Sequence, residues 1–161
     1  MTLRNRMLLR VKVLRAMTYV VVARFLVRFI PFSWWRGSVG QMVEARCALA
    51  PQATSLAGRS KLEAFALVRQ IDRACQHLPG TSRCLPRAVA LCWLLRPHPL
   101  TLLTVIAFSK VDRTGEDAYH AWVECGGEVL IGHCDRSTYQ PIMVLCSNAL
   151  TFAQSDPAAT E

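Results

Sequence analysis

The chain has 161 residues, a length that fits one domain around one core and excludes two ordinary ones. Its formal charge of +8, from 19 Lys and Arg against 11 Asp and Glu, sits at one end: Arg4, Arg6, Arg10, Lys12, Arg15, Arg24, Arg28 and Arg36 all precede Glu44, the first acidic residue. These cations alternate with apolar residues, and there is no Cys/His finger spacing or aromatic RNA-binding signature, so the charge points away from nucleic acid and toward a membrane surface or an acidic peptide.

Residues 3–31 read as one or two basic amphipathic helices, with Leu9, Val13, Met17, Val20, Val21 and Phe25 at helical spacing. Such a helix packs on its own domain or touches a membrane or partner surface. The apolar run from Met17 to Ala23 is seven residues long, is followed by Arg24 and Arg28, and lacks a small-residue cleavage site, so it is neither a signal peptide nor a span. The seven cysteines (Cys47, Cys75, Cys84, Cys92, Cys125, Cys134 and Cys146) are odd in number and without paired spacing, which predicts reduced thiols and a cytoplasmic location. Pro31 and Ser33-Trp34-Trp35-Arg36-Gly37 end the first segment, with the tryptophans read as core residues or interfacial anchors.

Two further helices are expected over residues 39–47 and 58–77, the second carrying Leu62, Phe65, Ala66, Arg69, Ile71, Ala74 and Cys75 in an imperfect apolar period. Leu78-Pro79-Gly80 closes it. Thr81 and Ser82 offer caps for the next helix, in which Pro86 falls in the first turn, where a missing N–H costs nothing. That helix keeps Leu85, Ala88, Val89, Leu91, Cys92 and Leu95 largely on one side and stops before Pro97. Residues 100–109 form a strand apolar on both faces, as in a sheet centre. A polar loop leads to an alternating strand over 119–124, and Gly126-Gly127 makes a two-residue hairpin turn into a strand over 128–131. A last strand over 139–146 is expected, with Pro141 confining it to an edge or delaying its start, and residues 153–161 are expected to be disordered. Residues 1–38 thus make a basic arm, 39–152 a core and 153–161 a tail.

Cys84 falls at the start of its helix, where unpaired N–H groups and the helix dipole lower a thiol pKa and offer donors to an oxyanion. Cys92 lies about 12 Å up the same helix and reads as a small core residue. A cysteine nucleophile needs a base. His77 and His98 flank Pro-containing helix ends, whereas His120 opens a strand.

If Gly126 and Gly127 are the turn residues, Cys125 pairs with Glu128, Trp122 with Ile131 and His120 with His133. Asp135 then shares the face of His120 on a diagonal of about 7 to 8 Å, within reach of the imidazole. Glu128 points to the other face, and Glu124 is about 13 Å along the strand, too far to orient the ring. A bulge at Gly132 would flip everything after it. His133 competes as the polar neighbour of His120 but reads better as an exposed strand-end residue. A zinc site from Cys125, His133, Cys134 and Asp135 is disfavoured, because adjacent strand residues point to opposite faces and no CxxC pair exists. The candidate catalytic set is Cys84, His120 and Asp135, with no metal or cofactor.

The run IDRACQHLPGTSRCLPRAVALCWLLR, an apolar strand and then HAWVECGGEVLIG resemble the transglutaminase-like cysteine protease of lasso peptide biosynthesis, the leader peptidase often called the B2 protein, over residues 5–146. The resemblance implies an α+β, papain-like core with the nucleophile helix packed on a small antiparallel sheet. It implies that Cys84 attacks a peptide bond, His120 relays the proton and an acidic residue orients the histidine. The family's acid lies about a dozen residues after the histidine, near Gly132 here, three residues short of Asp135. The implied substrate is a ribosomally made precursor peptide, with a separate winged-helix leader-recognition protein and an ATP-dependent cyclase as partners. Two readings stand beside this: a non-catalytic scaffold presenting the precursor to the cyclase, and an acyltransferase using the same triad.

Overall fold

The computed structural model describes residues 3–44, 58–80, 83–111 and 118–148, with the side chains of the first helix described from Met7 onward. Its elements are α1 (Leu3–Phe29), α2 (Phe32–Trp35), a 3-10 turn (Arg36–Ser38), β1 (Gln41–Val43), α3 (Gly58–His77), α4 (Cys84–Leu95), β2 (Leu103–Ser109), β3 (Tyr119–Cys125), β4 (Glu128–Ile131), a second 3-10 turn (Arg136–Thr138) and β5 (Tyr139–Cys146). The strands form one antiparallel sheet in the order β1-β5-β2-β3-β4. The architecture is α+β, with the helices gathered on one face of that sheet.

The 3.6-residue repeat explains how the helices meet. α1 buries Ala16, Val20 and Ala23, three small side chains at spacings of four and three, which lets its backbone approach α3 and α4 closely. α4 is the innermost helix: Ala88, Val89, Ala90, Leu91, Cys92, Leu94 and Leu95 are all buried, so it touches neighbours on nearly every side. With Ile71 and Ala74 of α3 and Val123, Cys125, Leu130 and Ile131 of the sheet, these residues make the main core. Leu103, Val105, Ala107, Trp122, Val144 and Cys146 make a smaller cluster on the opposite face. Each buried Leu or Val contributes about 1.5 to 3 kcal/mol of transfer free energy.

α3 has the expected bounds, although Leu62 lies on its exposed side. α1 is a single helix, and it packs into the same core as the rest. Of the tryptophan pair, Trp35 is 5% exposed and donates its indole N–H to the Ile30 carbonyl at 3.2 Å, whereas Trp34 is 82% exposed.

Two expectations are corrected. No helix begins at Val39, because Gln41–Val43 pairs with Val144–Cys146 as β1; Cys47 and the rest of that segment lie outside the described residues, as do Thr81, Ser82 and the tail. Nor is β5 an edge strand, since it lies between β1 and β2. Pro141 is accommodated because β1 pairs with Val144–Cys146 and does not reach it, and because the β2 register shifts there: Ile106 faces Met143 and Ala107 faces Pro141, with Ile142 as the extra residue.

Gly40 seats the start of β1 against β5. A Cβ at Gly40 would lie 2.4 Å from the Cys146 carbonyl oxygen, whereas one at Gly37 would meet nothing within 4 Å. Gly40→Ala is therefore expected to lower unfolding free energy by about 1 to 3 kcal/mol, and Gly37→Ala to change it by less than about 0.5 kcal/mol, both read from urea midpoints.

Candidate active site

The hairpin between β3 and β4 sets the site. Gly126 (φ 57°) and Gly127 (φ 80°) take the two left-handed positions of the turn, so Cys125 pairs with Glu128 and Glu124 with Val129 as counting predicts. The register then slips, because Val123 faces Ile131 and leaves Leu130 as an extra residue. Leu130 and Ile131 consequently both enter the helix-side core, and the expected pairs Trp122–Ile131 and His120–His133 do not form. The irregularity that Gly132 suggested lies two residues earlier than expected.

β4 stops at Ile131, and Gly132 turns the chain away with φ 79°. Only glycine fits there: a Cβ would lie 2.5 Å from the Ala121 carbonyl oxygen and 3.0 Å from the Trp122 Cα. This close approach lays the Gly132 carbonyl 3.0 Å from Nε2 of His120. A carbonyl only accepts, so Nε2 carries the proton, and in the neutral ring Nδ1 holds the lone pair. The His120 ring is further held by Trp122 (centroids 6.2 Å apart, planes 28° apart) and Tyr139 (5.3 Å). Trp122 is fixed in turn by its indole N–H on Glu124, a carboxylate 2% exposed that also receives Arg136 Nη1 at 3.1 Å.

Cys84 is the first residue of α4, whose N-cap, Arg83, makes no side-chain capping bond. Arg24 of α1 steadies the approach to this helix by donating Nη1 to the Pro79 carbonyl at 2.8 Å and Nη2 to the Gly80 carbonyl at 3.3 Å. The structure brings Cys84 and His120 into hydrogen-bond contact. Burial raises the Cys84 thiol pKa, but the His120 hydrogen bond, its charge and the backbone N–H groups of Ala121 and Leu85 outweigh burial, so the pKa is held below its ordinary value. The Ala121 N–H is available because β4 has already ended. The contrast with other thiols is chemical: burial pushes Cys92 up to about 11, despite its 3.0 Å contact with the Thr104 hydroxyl. Burial, with Glu128 nearby, does the same for Cys125.

Asp135 is not brought to His120. Its exposed carboxylate accepts from Ser137 N–H (3.0 Å) and Ser137 Oγ (2.7 Å), capping the second 3-10 turn, and these bonds lower its pKa. The cause is that β4 ends at Ile131 and Gly132 turns the chain away, so strand parity no longer places Asp135. His133 is exposed at the mouth of the cleft. Sequence reasoning missed the Gly132 carbonyl and the Trp122–Glu124–Arg136 support; alternation of His120, Trp122 and Glu124 on one strand face was the visible signal for the latter. Among the described residues no three His, Cys, Asp or Glu side chains converge as a metal site requires.

The thiol opens onto a cleft of about 720 Å³ between α3, α4 and the β3–β4 edge, lined by Phe65, Val68, Tyr119, Leu130 and the Asp72–Arg87 ion pair.

Below about pH 8, where ordinary thiols are mostly protonated, Cys84 is expected to react with iodoacetamide before Cys92 and Cys125, as read by peptide mass spectrometry. His120→Ala leaves burial in place and removes the ring's hydrogen bond and charge, so the reactivity profile of Cys84 should move to higher pH. Gly132→Ala, which displaces the carbonyl on Nε2, should move it the same way; an unchanged profile would show that the carbonyl does not hold the ring.

The description of the family model that matches residues 26–144 is the transglutaminase-like superfamily, and the match takes in α4, β3 and β4 with Cys84, His120 and Gly132. No curated protein and no solved structure matches the chain. The superfamily's activities are of the cysteine-peptidase or acyltransferase type, chemistry that a thiol paired with an imidazole can perform. With the matched span covering most of the sequence, the chain belongs to the transglutaminase-like superfamily.

Proposed function

We propose that this protein is a cysteine endopeptidase that removes the leader from a ribosomally made lasso precursor peptide, freeing the amine that a partner ATP-dependent cyclase joins to an acidic side chain. The observation that carries the chemistry is the Cys84–His120 contact at the tip of α4, with Nε2 of the ring committed to the Gly132 carbonyl. Support for the substrate class is the quoted likeness of SRCLPRA and HAWVE to the lasso leader peptidases, together with a cleft beside the Cys84 thiol lined in part by apolar side chains. A separate leader-recognition protein delivers the precursor in this reading.

The steps follow from the atoms. Nδ1 of His120 takes the Cys84 proton and the sulfur attacks the scissile carbonyl carbon, whose oxygen gathers negative charge near the N–H groups of the first turn of α4. The imidazolium returns its proton to the leaving amine as the C–N bond breaks, which leaves a thioester on Cys84. Water, deprotonated by Nδ1, then attacks that carbonyl and releases the leader as a carboxylic acid. Through both steps Nε2 stays on Gly132, so the ring keeps one tautomer and one orientation. The imidazolium meets the Gly132 carbonyl dipole and the neighbouring rings of Trp122 and Tyr139.

The test is mass spectrometry of the precursor peptide encoded beside this gene, incubated with the protein and its recognition partner. One cut at a single bond is expected, with Cys84→Ala lowering the rate by a factor on the order of 10³ or more. A peptide left intact with all partners present, or cut equally by Cys84→Ala, would overturn the reading; a product joined to an amine would place the activity with the acyltransferases. Asp135→Asn keeps an oxygen for the cap and is expected to hold the rate within about threefold, whereas an orienting carboxylate of a His dyad is worth about 10⁴.

A further inference from the structure

α1 is apolar on two opposite faces. One, centred on Ala16, Val20 and Ala23, is buried against α3 and α4. At 100° per residue the other face is an arc of about 100° carrying Met7, Val11, Leu14, Val22, Phe25 and Phe29. These six side chains are 44 to 71% exposed. Thr18 lies in the same arc, but its hydroxyl donates to the Leu14 carbonyl at 3.2 Å, so it adds little polarity. The stripe runs straight for about 33 Å along the helix. Among the described residues no packing accounts for keeping it apolar.

Its borders carry one sign of charge. Arg10 and Arg28 lie along one side and Arg15 along the other, with Lys12 further round toward the packed face, all exposed, and α1 contains no acidic residue. Arg28 lies over the Phe29 ring at 5.6 Å, so its stem follows the stripe while its head reaches outward. Past the end of the helix stands exposed Trp34. Among the described residues no helix is long and apolar enough to cross a membrane, and the buried face ties α1 to its own domain.

We propose that this face of α1 docks the protein on an anionic lipid bilayer, with the helix in the plane of the interface and the domain resting above it. The charge pattern selects this occupant. A second copy would set arginine borders against arginine borders, and the stripe is broader than the narrow seam of a coiled coil. An anionic leaflet supplies negative potential on both sides along the whole length, with acyl chains for the stripe and headgroups for the arginines and Trp34. The docking is independent of what the Cys84 thiol does.

The experiment is co-sedimentation of the full chain with vesicles of phosphatidylcholine, with and without phosphatidylglycerol. Binding is expected only when phosphatidylglycerol is present, and is expected to weaken as salt rises. The triple variant Leu14→Gln, Val22→Gln, Phe29→Gln changes exposed positions alone and should lower the partition coefficient by about tenfold or more. Neutralising Arg10, Lys12 and Arg15 with Gln should lower it by about fivefold per residue. Circular dichroism and Cys84 alkylation, unchanged in both variants, would show that the fold is kept. A wild-type protein that stays in the supernatant overturns the proposal, as does equal binding to pure phosphatidylcholine. A concentration-dependent dimer abolished by the apolar triple variant, or a protein partner displaced by it without any vesicle binding, overturns it in favour of that occupant.

Discussion

A hydrogen bond from an imidazole to a main-chain carbonyl organises the site. Nε2 of His120 meets the Gly132 oxygen at 3.0 Å, and that oxygen is in place only because Gly132 lies against Ala121 and Trp122 with a positive φ that other residues reach at a cost. The same turn ends β4 and leaves the Ala121 N–H to meet the Cys84 sulfur. One residue without a side chain therefore fixes the tautomer of the ring and opens the sheet edge at which the tip of α4 arrives. The slip at Leu130 is a precondition, since it determines which residue lies opposite Trp122 when the strand stops.

The electrostatics of Cys84 show why position on the helix matters. Burial raises its pKa, but the tip of α4 brings the thiol to His120, whose hydrogen bond and charge lower it most, with the Ala121 and Leu85 N–H groups adding to them. Cys84 and Cys92 occupy the same helix and both lose solvation, yet their pKa values move in opposite directions. Cys92 meets one neutral hydroxyl deep in the core, whereas Cys84 has an imidazole and two backbone N–H groups on the side where the first turn has no intrahelical acceptors. A thiolate needs several donors to offset its desolvation, and the chain supplies them from two elements that close on each other from the helix layer and the sheet edge.

Local pattern made much of this legible. The bounds of α3, the start of α4 at Cys84 and the glycine turn of the hairpin follow from spacing, proline position and glycine pairs in the sequence. What did not follow was register. Parity counting from Gly126-Gly127 is sound for two pairs and fails at the third, because a bulge is decided by whether Leu130 and Ile131 can both find room in the core, a property of α3 and α4 that the strand does not encode. That failure hid the carbonyl, and the turn at Gly132 carries Asp135 away. Backbone acceptors leave no residue-type signal, and Gly132 could be read as a possible bulge without revealing what its oxygen would hold. β1 was missed for a related reason: three residues carry too little periodicity to outweigh a helical reading, and the strand exists because Gly40 lets it approach Cys146.

α1 shows how a single amphipathic pattern can conceal two interfaces. Small residues at Ala16, Val20 and Ala23 serve close packing, while the large ones at Leu14, Phe25 and Phe29 stand on the opposite side, so the apolar residues spread around the helix and the usual one-sided stripe is lost. Size, and not hydrophobicity, separates the face that belongs to the core from the face that does not. The packed face also reaches the chemistry, because Arg24 holds the Pro79 and Gly80 carbonyls just ahead of Cys84. Arg24 thus ties the packed side of α1 to the segment that leads into the nucleophile helix. Coupling between the two faces requires only that α1 shift as a rigid rod against α3 and α4, and its close-packed alanines resist such a shift more than longer, more flexible side chains would.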